Sequence, residues 1–174
     1  MARMIQLAFL ATLLVSVAFS FVSASNEILN ESSKMKVVNV IVEGMVYCQS
    51  CNKLGSWSLT GAQPISGAKL SVICESYKNR VSYHKTFQTD TQGYFYAELV
   101  GYKMTHMLLD HPLQSCIVKL VSSPSESCNV LTNVNYGING ATLHYENKRL
   151  AYENKYEALI YAAGPLAFRP AQCT

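Results

Sequence analysis

The stretch VVNVIVEGMVYCQSC, residues 37–51, decides the fold. Its first eleven residues are rich in β-branched and aromatic side chains, which predicts a strand, with a bulge at Gly44. The strand leads directly into Cys48-Gln49-Ser50-Cys51, two cysteines separated by two residues. The beginning of the domain is therefore expected to be a β-strand that ends at cysteines.

The role of the cysteines determines the class of protein. Three interpretations compete for the C-x-x-C pair. A redox motif is expected at the start of a helix in a βαβ unit, but here a Gly/Ser-rich loop follows. A zinc site needs a second close pair of ligands, which the sequence lacks. Structural disulfides need only an oxidising compartment, and the number of cysteines is even. The chain has six: Cys48, Cys51, Cys74, Cys116, Cys128 and Cys173.

An export signal is predicted at the N-terminus. Residues 1–24 combine a base at Arg3, an apolar run and small residues before the predicted cleavage site at Ala24. A membrane anchor is the alternative, because the apolar run is almost long enough to span a bilayer. The mature chain would start near Ser25, with no further span, and its net charge falls from +3 to +2 on loss of Arg3. Such a charge does not favour nucleic-acid binding.

A flexible arm over residues 25–36 and one β-domain over residues 37–174 are expected after the signal. The arm carries the only sequon, Asn30-Glu31-Ser32, so Asn30 is the predicted glycosylation site.

Alternation of apolar and polar residues predicts short strands over residues 68–74, 94–99 and 116–121. Residues 81–89, 141–145 and 157–162 are further predicted strands. Residues 102–109 suggest a short helix. Long connections at residues 52–67 and 129–140 are candidate binding loops. Cys74 and Cys116 fall on inward faces and could pair across a core, although six cysteines allow fifteen connectivities. The other predicted core positions are Ala68, Leu70, Val72, Phe95, Ala97, Leu99, Val118 and Leu120.

No catalytic, metal or cofactor site is predicted. The four histidines are scattered, and the sequence lacks the motifs of serine hydrolases, zinc proteases and phosphate-binding loops. The sequence therefore favours a binding module over an enzyme. Polysaccharides present C–H faces and hydroxyls, which aromatic rings beside polar groups can bind. Trp57 in the first long loop is the first candidate, and Tyr94 and Tyr96 on an outward strand face are the others.

Five blocks of the sequence match a known family: VEGMVYCQSC (42–51), PISGAKL (64–70), TDTQGYF (89–95), CIVKLVSSP (116–124) and GPLAFRP (164–170). With these blocks the sequence resembles the pollen Ole e I allergen and extensin-like family of plants, over roughly residues 37–173. The last two blocks are most similar to the cysteine-containing PAC domain of proline-rich and arabinogalactan proteins. Unlike many PAC proteins, this chain has no proline in the arm that precedes the domain.

The resemblance implies an all-β fold, a seven-stranded antiparallel β-barrel or sandwich stapled by three disulfides. It also implies the pairing Cys48–Cys128, Cys51–Cys173 and Cys74–Cys116. For function, it implies a non-enzymatic protein secreted to the plant cell wall, in pollen or growing cells. Its expected partners are wall polysaccharides, such as galactan or pectic side chains, or glycosylated wall proteins. The alternative is a structural or signalling module that binds proteins without binding glycans.

Overall fold

Ten strands in two sheets make up most of the described structure. The computed structural model describes residues 39–103, 108, 110–152 and 156–173. The predicted signal, the arm and Asn30 lie outside these residues. The strands are β1 (Asn39–Cys48), β2 (Gln63–Pro64), β3 (Lys69–Glu75), β4 (Val81–Gln88), β5 (Tyr94–Glu98), β6 (Cys116–Ser122), β7 (Val130–Leu131), β8 (Ala141–Thr142), β9 (His144–Tyr152) and β10 (Tyr156–Arg169).

The first sheet is built on β1 and β10, which run parallel from the pair Asn39 and Ala158 to the pair Cys48 and Phe168. Antiparallel neighbours flank them: β2 and β5 pair with β1, and β7 and β9 pair with β10. The second sheet is antiparallel in the order β4-β3-β6-β8. The all-β prediction is confirmed. The seven-stranded antiparallel barrel is not confirmed: the described residues form ten strands, the β1–β10 pair is parallel while the other pairs are antiparallel, and the two sheets do not close into a barrel. A parallel pair needs a long crossover, and here residues 49–155 supply it.

The core lies between the sheets and follows the predicted alternation. Leu70, Val72, Phe95 and Val118 are fully buried. Completely burying a side chain of this kind stabilises a fold by about 1.5–3 kcal/mol. Every core position predicted from alternation is buried: Ala68, Leu70, Val72, Cys74, Phe95, Ala97, Leu99, Cys116, Val118 and Leu120.

The bulge predicted at Gly44 coincides with an irregularity in the β1–β10 pairing. Ala163 lies opposite Gly44 and Leu166 opposite Val46, so the extra residue belongs to β10. Position 44 has room only for glycine, because neighbouring atoms occupy the space that a Cβ would need. A Cβ there would lie 2.2 Å from the Ala163 carbonyl oxygen and 2.7 Å from the nearest ring atom of Phe95.

Helical structure is sparse in the described residues. The short helix α1 (Pro112–Ser115) precedes β6, and two 3-10 turns occupy Cys51–Lys53 and Val134–Tyr136. Of the helix predicted over residues 102–109, Tyr102 and Lys103 are not helical, and residues 104–107 and 109 are outside the described ranges. No helix in the described ranges has the length and apolarity that a membrane crossing requires.

Three disulfides join distant parts of the chain. They are Cys48–Cys128, Cys51–Cys173 and Cys74–Cys116, the pairing that the resemblance implies. Cys74 and Cys116 lie opposite each other in the β3–β6 register, as their inward positions suggested. Closing loops of this length typically stabilises a fold by about 2–4 kcal/mol per bond.

Candidate functional site

The two long loops meet on the surface, and this contact is the candidate site. The first loop, residues 52–67, follows the C-x-x-C pair. The second, residues 129–140, connects Cys128 to β8. The ring centroids of Trp57 and Tyr136 lie 5.1 Å apart, with an interplanar angle of 87°. Exposure is 54% for Trp57 and 52% for Tyr136. We call these two residues the Trp57–Tyr136 pair.

Gln49 fixes the shape of the first loop. It is 2% exposed, and its backbone N–H donates to the Phe168 carbonyl of β10 at 2.9 Å. Its side-chain Nε2 lies within hydrogen-bond distance of the carbonyl oxygens of Lys53 at 3.1 Å, Ser56 at 2.9 Å and Ser58 at 3.0 Å, so its two N–H groups are shared among three acceptors. The last two carbonyls belong to the residues on either side of Trp57. Gln49 therefore positions the backbone that carries the indole ring.

The second loop is held by asparagine side chains. Asn133 Oδ1 accepts hydrogen bonds from the backbone N–H groups of Ile138 and Asn139. Asn135 Nδ2 donates to the Pro165 carbonyl of β10 at 2.7 Å. Asn135 and Tyr136 both have positive φ, 47° and 63°, which is uncommon for a tyrosine. These bonds hold Tyr136 in a backbone conformation that brings its ring to Trp57.

The Trp57–Tyr136 pair offers two partly exposed ring faces at an angle of nearly 90°. Ser56, Ser58 and Thr60 place hydroxyl groups in the same loop, although they also bond locally. Apolar ring faces beside hydroxyls suit a ligand that presents both C–H groups and hydroxyls. In the described residues, no three His, Cys, Asp or Glu side chains converge as they would to hold a metal ion.

The other two predicted contact residues lie elsewhere, on β5. Tyr94 is half-buried, and its hydroxyl donates to Glu43 Oε2 on β1 at 2.7 Å. Tyr96 is 46% exposed and lies opposite Glu43 in the β1–β5 register. The structure thus pairs Trp57 with Tyr136, while Tyr94 is engaged with a carboxylate of the first sheet. Whether Tyr94 or Tyr96 contacts a glycan stays a prediction.

Glu43 has two donors on the outer face of the first sheet. Besides Tyr94, Lys148 Nζ on β9 donates to Glu43 Oε1 at 2.9 Å, and the Glu43 side chain is only 15% exposed. Burial alone raises the pKa of Glu43. The hydrogen bonds from Tyr94 and Lys148, with the charge of Lys148, outweigh burial and hold that pKa below its ordinary value of 4.5. Burial, and then the bond to Glu43, raises the pKa of the Tyr94 hydroxyl.

We therefore expect Glu43 to make stability depend on pH in the acid range. Because its pKa is lower in the folded than in the unfolded chain, ionised Glu43 stabilises the fold above about pH 4.5. This stabilisation is lost as the pH falls through the lowered pKa of the folded state.

Urea unfolding of the oxidised protein between pH 7 and pH 3 should show the decline in stability, and Glu43→Gln should flatten it. Glu146→Gln, which removes a partly exposed carboxylate 3.9 Å from Lys148, is the control and should change the pH dependence much less than Glu43→Gln does. Identical pH profiles for wild type and Glu43→Gln would contradict the assignment.

Two residues of the candidate site were missed in the sequence. The sequence marks Gln49 only as a spacer between two cysteines, because its burial depends on the fold of the loop that follows it. Tyr136 lies in an Asn/Gly-rich loop that was flagged, but one tyrosine among eleven carries no local signal. The asparagines before it are the available hint, because asparagine tolerates positive φ better than most residues.

Comparison with known proteins supports the sequence resemblance. No family model matches the chain. The chain is 30% identical to the non-classical arabinogalactan protein 30 of Arabidopsis thaliana over 134 residues, which cover 75% of this chain and 53% of that protein. It is 38% identical to the pistil-specific extensin-like protein of Nicotiana tabacum over 103 residues, 59% of this chain and 22% of that protein. The chain thus matches about half of the first relative's length and less of the second's.

A solved structure shares the fold. The major plantain pollen allergen Pla l 1 superposes with a TM-score of 0.52 at 23% identity, covering 79% of this chain and 98% of the allergen. This chain is thus a disulfide-bonded β-protein with the fold of a pollen allergen. It is homologous to plant arabinogalactan, extensin-like and proline-rich proteins, as its sequence motifs predicted. None of the three proteins compared above is named as an enzyme.

Proposed function

We propose that this chain is a secreted, non-enzymatic module of the plant cell wall. It binds wall polysaccharide, such as galactan or pectic side chains, or the glycans of wall proteins, through the Trp57–Tyr136 pair. The observation that carries the proposal is the exposed contact between these two rings, which come from separate loops. Three disulfides suit an oxidising, extracellular compartment. Relatives named as arabinogalactan and extensin-like proteins agree with this setting.

The exposure of the pair is informative because nothing in the fold requires it. Tryptophan is a large apolar residue that folded proteins bury to a high degree on average. Burying either ring of the pair further would stabilise the fold. The loops instead use Gln49 and Asn133 to hold the two rings at the surface. An exposed aromatic pair on a rigid frame loses little conformational entropy on binding. Such a pair is therefore suited to the weak, repeated contacts that a polysaccharide chain offers.

Trp57→Ala is expected to weaken binding to a wall polysaccharide about tenfold, a change of about 1.4 kcal/mol. Trp57→Phe keeps a flat ring and should retain most of the affinity, and Tyr136→Ala should lose nearly as much as Trp57→Ala. The measurement is affinity electrophoresis of the oxidised protein through gels that contain soluble galactan, arabinan or pectin. Val81→Ala, which truncates a 60% exposed side chain on β4, is the control. Since all three side chains are exposed, melting temperatures of the four variants should stay close to wild type.

Two results would overturn the proposal. One is unretarded migration of the wild type in every polysaccharide gel. The other is equal retardation of the wild type, Trp57→Ala and Tyr136→Ala. Recovery of a protein partner that binds equally well after removal of its glycans would instead favour the protein-binding alternative.

A further inference from the structure

A pocket of about 360 Å³ lies at the end of the second sheet, beside the turn between β3 and β4. Its volume is at the lower end of the roughly 300–1,000 Å³ that small-molecule sites occupy. Ile73 of β3 and Ile117 of β6, which pair across the sheet, form the apolar part of the lining. The turn contributes Tyr77 and Asn79, and α1 contributes Gln114. We call this cavity the Tyr77 pocket.

The lining combines the groups that recognise a neutral sugar. The ring of Tyr77, which is 48% exposed, and the two isoleucines can contact C–H faces. The side-chain amides of Asn79 and Gln114 each provide a donor and an acceptor for hydroxyl groups. Glu75 adds a carboxylate to the lining, and the Lys78 ammonium lies outside it, 5.2 Å from the centroid of the Tyr77 ring. Because the charged group of the lining itself is negative, uncharged hydroxyls are favoured over a uronic acid.

The pocket is rigid on both sides. The Ser76 N–H donates to the Arg80 carbonyl and the Asn79 N–H to the Ser76 carbonyl, both at 2.8 Å, which closes the turn. The Tyr77 N–H donates to the carboxylate of Asp110 at 2.8 Å, and Asp110 is 3% exposed. Beneath the pocket, the disulfide Cys74–Cys116 joins the two strands that form its base. A preformed site of this kind requires little ordering when a ligand binds.

The Tyr77 pocket and the Trp57–Tyr136 pair lie at different levels of the second sheet. The pocket is lined by Ile73 and Ile117, which pair across β3 and β6. The Gly137 carbonyl, next to Tyr136, accepts a hydrogen bond from the Leu120 N–H, and Leu120 lies opposite Leu70. Leu70 and Leu120 are three residues from Ile73 and Ile117 along their strands, a rise of about 10 Å. The two places are thus separate but neighbouring.

We propose that the Tyr77 pocket is a second saccharide-binding site, which takes one or two units of a neutral sugar. It is independent of the Trp57–Tyr136 pair, because no residue is shared between them. If the proposed function of that pair also holds, one molecule has two neighbouring glycan contacts.

The test is a titration of the oxidised, ¹⁵N-labelled protein with D-galactose, L-arabinose, D-xylose and D-glucose, followed by NMR. Saturating shifts are expected for the amide signals of Tyr77, Asn79 and Gln114 with at least one sugar. Tyr77→Ala and Gln114→Ala should each weaken this binding at least fivefold. Trp57→Ala should leave it unchanged. D-galacturonic acid is the charged counterpart of galactose and should bind more weakly.

The outcomes separate the two sites. Absence of saturating shifts at the pocket with all four sugars, in protein whose spectrum shows an intact fold, would overturn the pocket proposal. Equal or tighter binding of galacturonic acid would overturn its preference for neutral sugars. Loss of the pocket shifts in Trp57→Ala would refute independence. Retention of the pocket shifts, together with unretarded migration of the protein through polysaccharide gels, would support the pocket and reject the function proposed for the Trp57–Tyr136 pair.

Discussion

Gly44→Ala is expected to destabilise the domain by roughly 3 kcal/mol or more, the upper range for overpacking of a tight core. The added methyl group would lie 2.2 Å from the carbonyl oxygen of Ala163, which is backbone of the adjacent strand. It would also lie within 2.8 Å of two ring atoms of Phe95, a fully buried side chain. A flexible side chain could move away, but a backbone carbonyl at the β1–β10 bulge cannot move without separating the two strands.

Chemical unfolding with the disulfides intact would measure this loss, through the denaturant midpoint and the melting temperature. Gly55→Ala is the matched control. Its added methyl would meet no atom within 4 Å, but Gly55 has φ +79°, so the expected cost is only about 1–2 kcal/mol of backbone strain. Comparison of the two variants separates steric overlap from backbone strain. A Gly44→Ala protein that is as stable as Gly55→Ala would show that the strands can adjust.

Gln49→Ala is expected to cost about 2–4 kcal/mol and to reduce polysaccharide binding as much as Trp57→Ala does. The variant removes the donor to three carbonyls, and an unpaired carbonyl that water does not reach costs about 1–3 kcal/mol. Because two of these carbonyls flank Trp57, the indole ring would lose its fixed position even if the fold persists.

Gln49→Glu is the sharper variant. It keeps the size of the side chain but replaces the donating amide with a carboxylate that repels the same three carbonyls. We expect it to be at least as destabilising as alanine at neutral pH and to recover in part when acid protonates the carboxylate. Trp57 is the only tryptophan in the chain, so its fluorescence and acrylamide quenching report on this loop directly. Wild-type quenching in both variants would show that Gln49 does not position Trp57.

The strands of the core could be predicted because their pattern has a physical cause. In β3, β5 and β6, one face is buried and the other is not, so apolar residues recur at every second position. β9 lacks this pattern: HYENKRLAY is mostly polar, because this strand is held largely by its backbone pairing with β10. The predicted strand over residues 141–145 covers only the first two residues of β9. The parallel pairing of β1 with β10 was not predicted, since alternation marks which face is buried but not which strand lies beside it or in which direction.

The candidate site was predictable in part for similar reasons. Trp57 could be selected because a tryptophan in a long polar loop is rare. Tyr136 could not be selected in this way, because its contact with Trp57 depends on the positions of two loops that only the folded sheets bring together. The turn that carries Tyr77 is not among the predicted binding loops, although Lys78 and Asn79 mark it as a turn. Its role depends on α1 and on the buried Asp110.

The parallel arrangement of β1 and β10 has a mechanical consequence. The chain enters β1 at Asn39 and leaves β10 after Arg169, at opposite ends of the same pair of strands. Tension applied at Asn39 and at Cys173 would therefore shear the two strands and load their hydrogen bonds together. Beyond β1, the force would pass from Cys51 to Cys173 through the disulfide, whose cysteines are 122 residues apart in sequence. Those intervening residues could otherwise extend by about 400 Å. While that bond is intact, the domain is a short, nearly inextensible link.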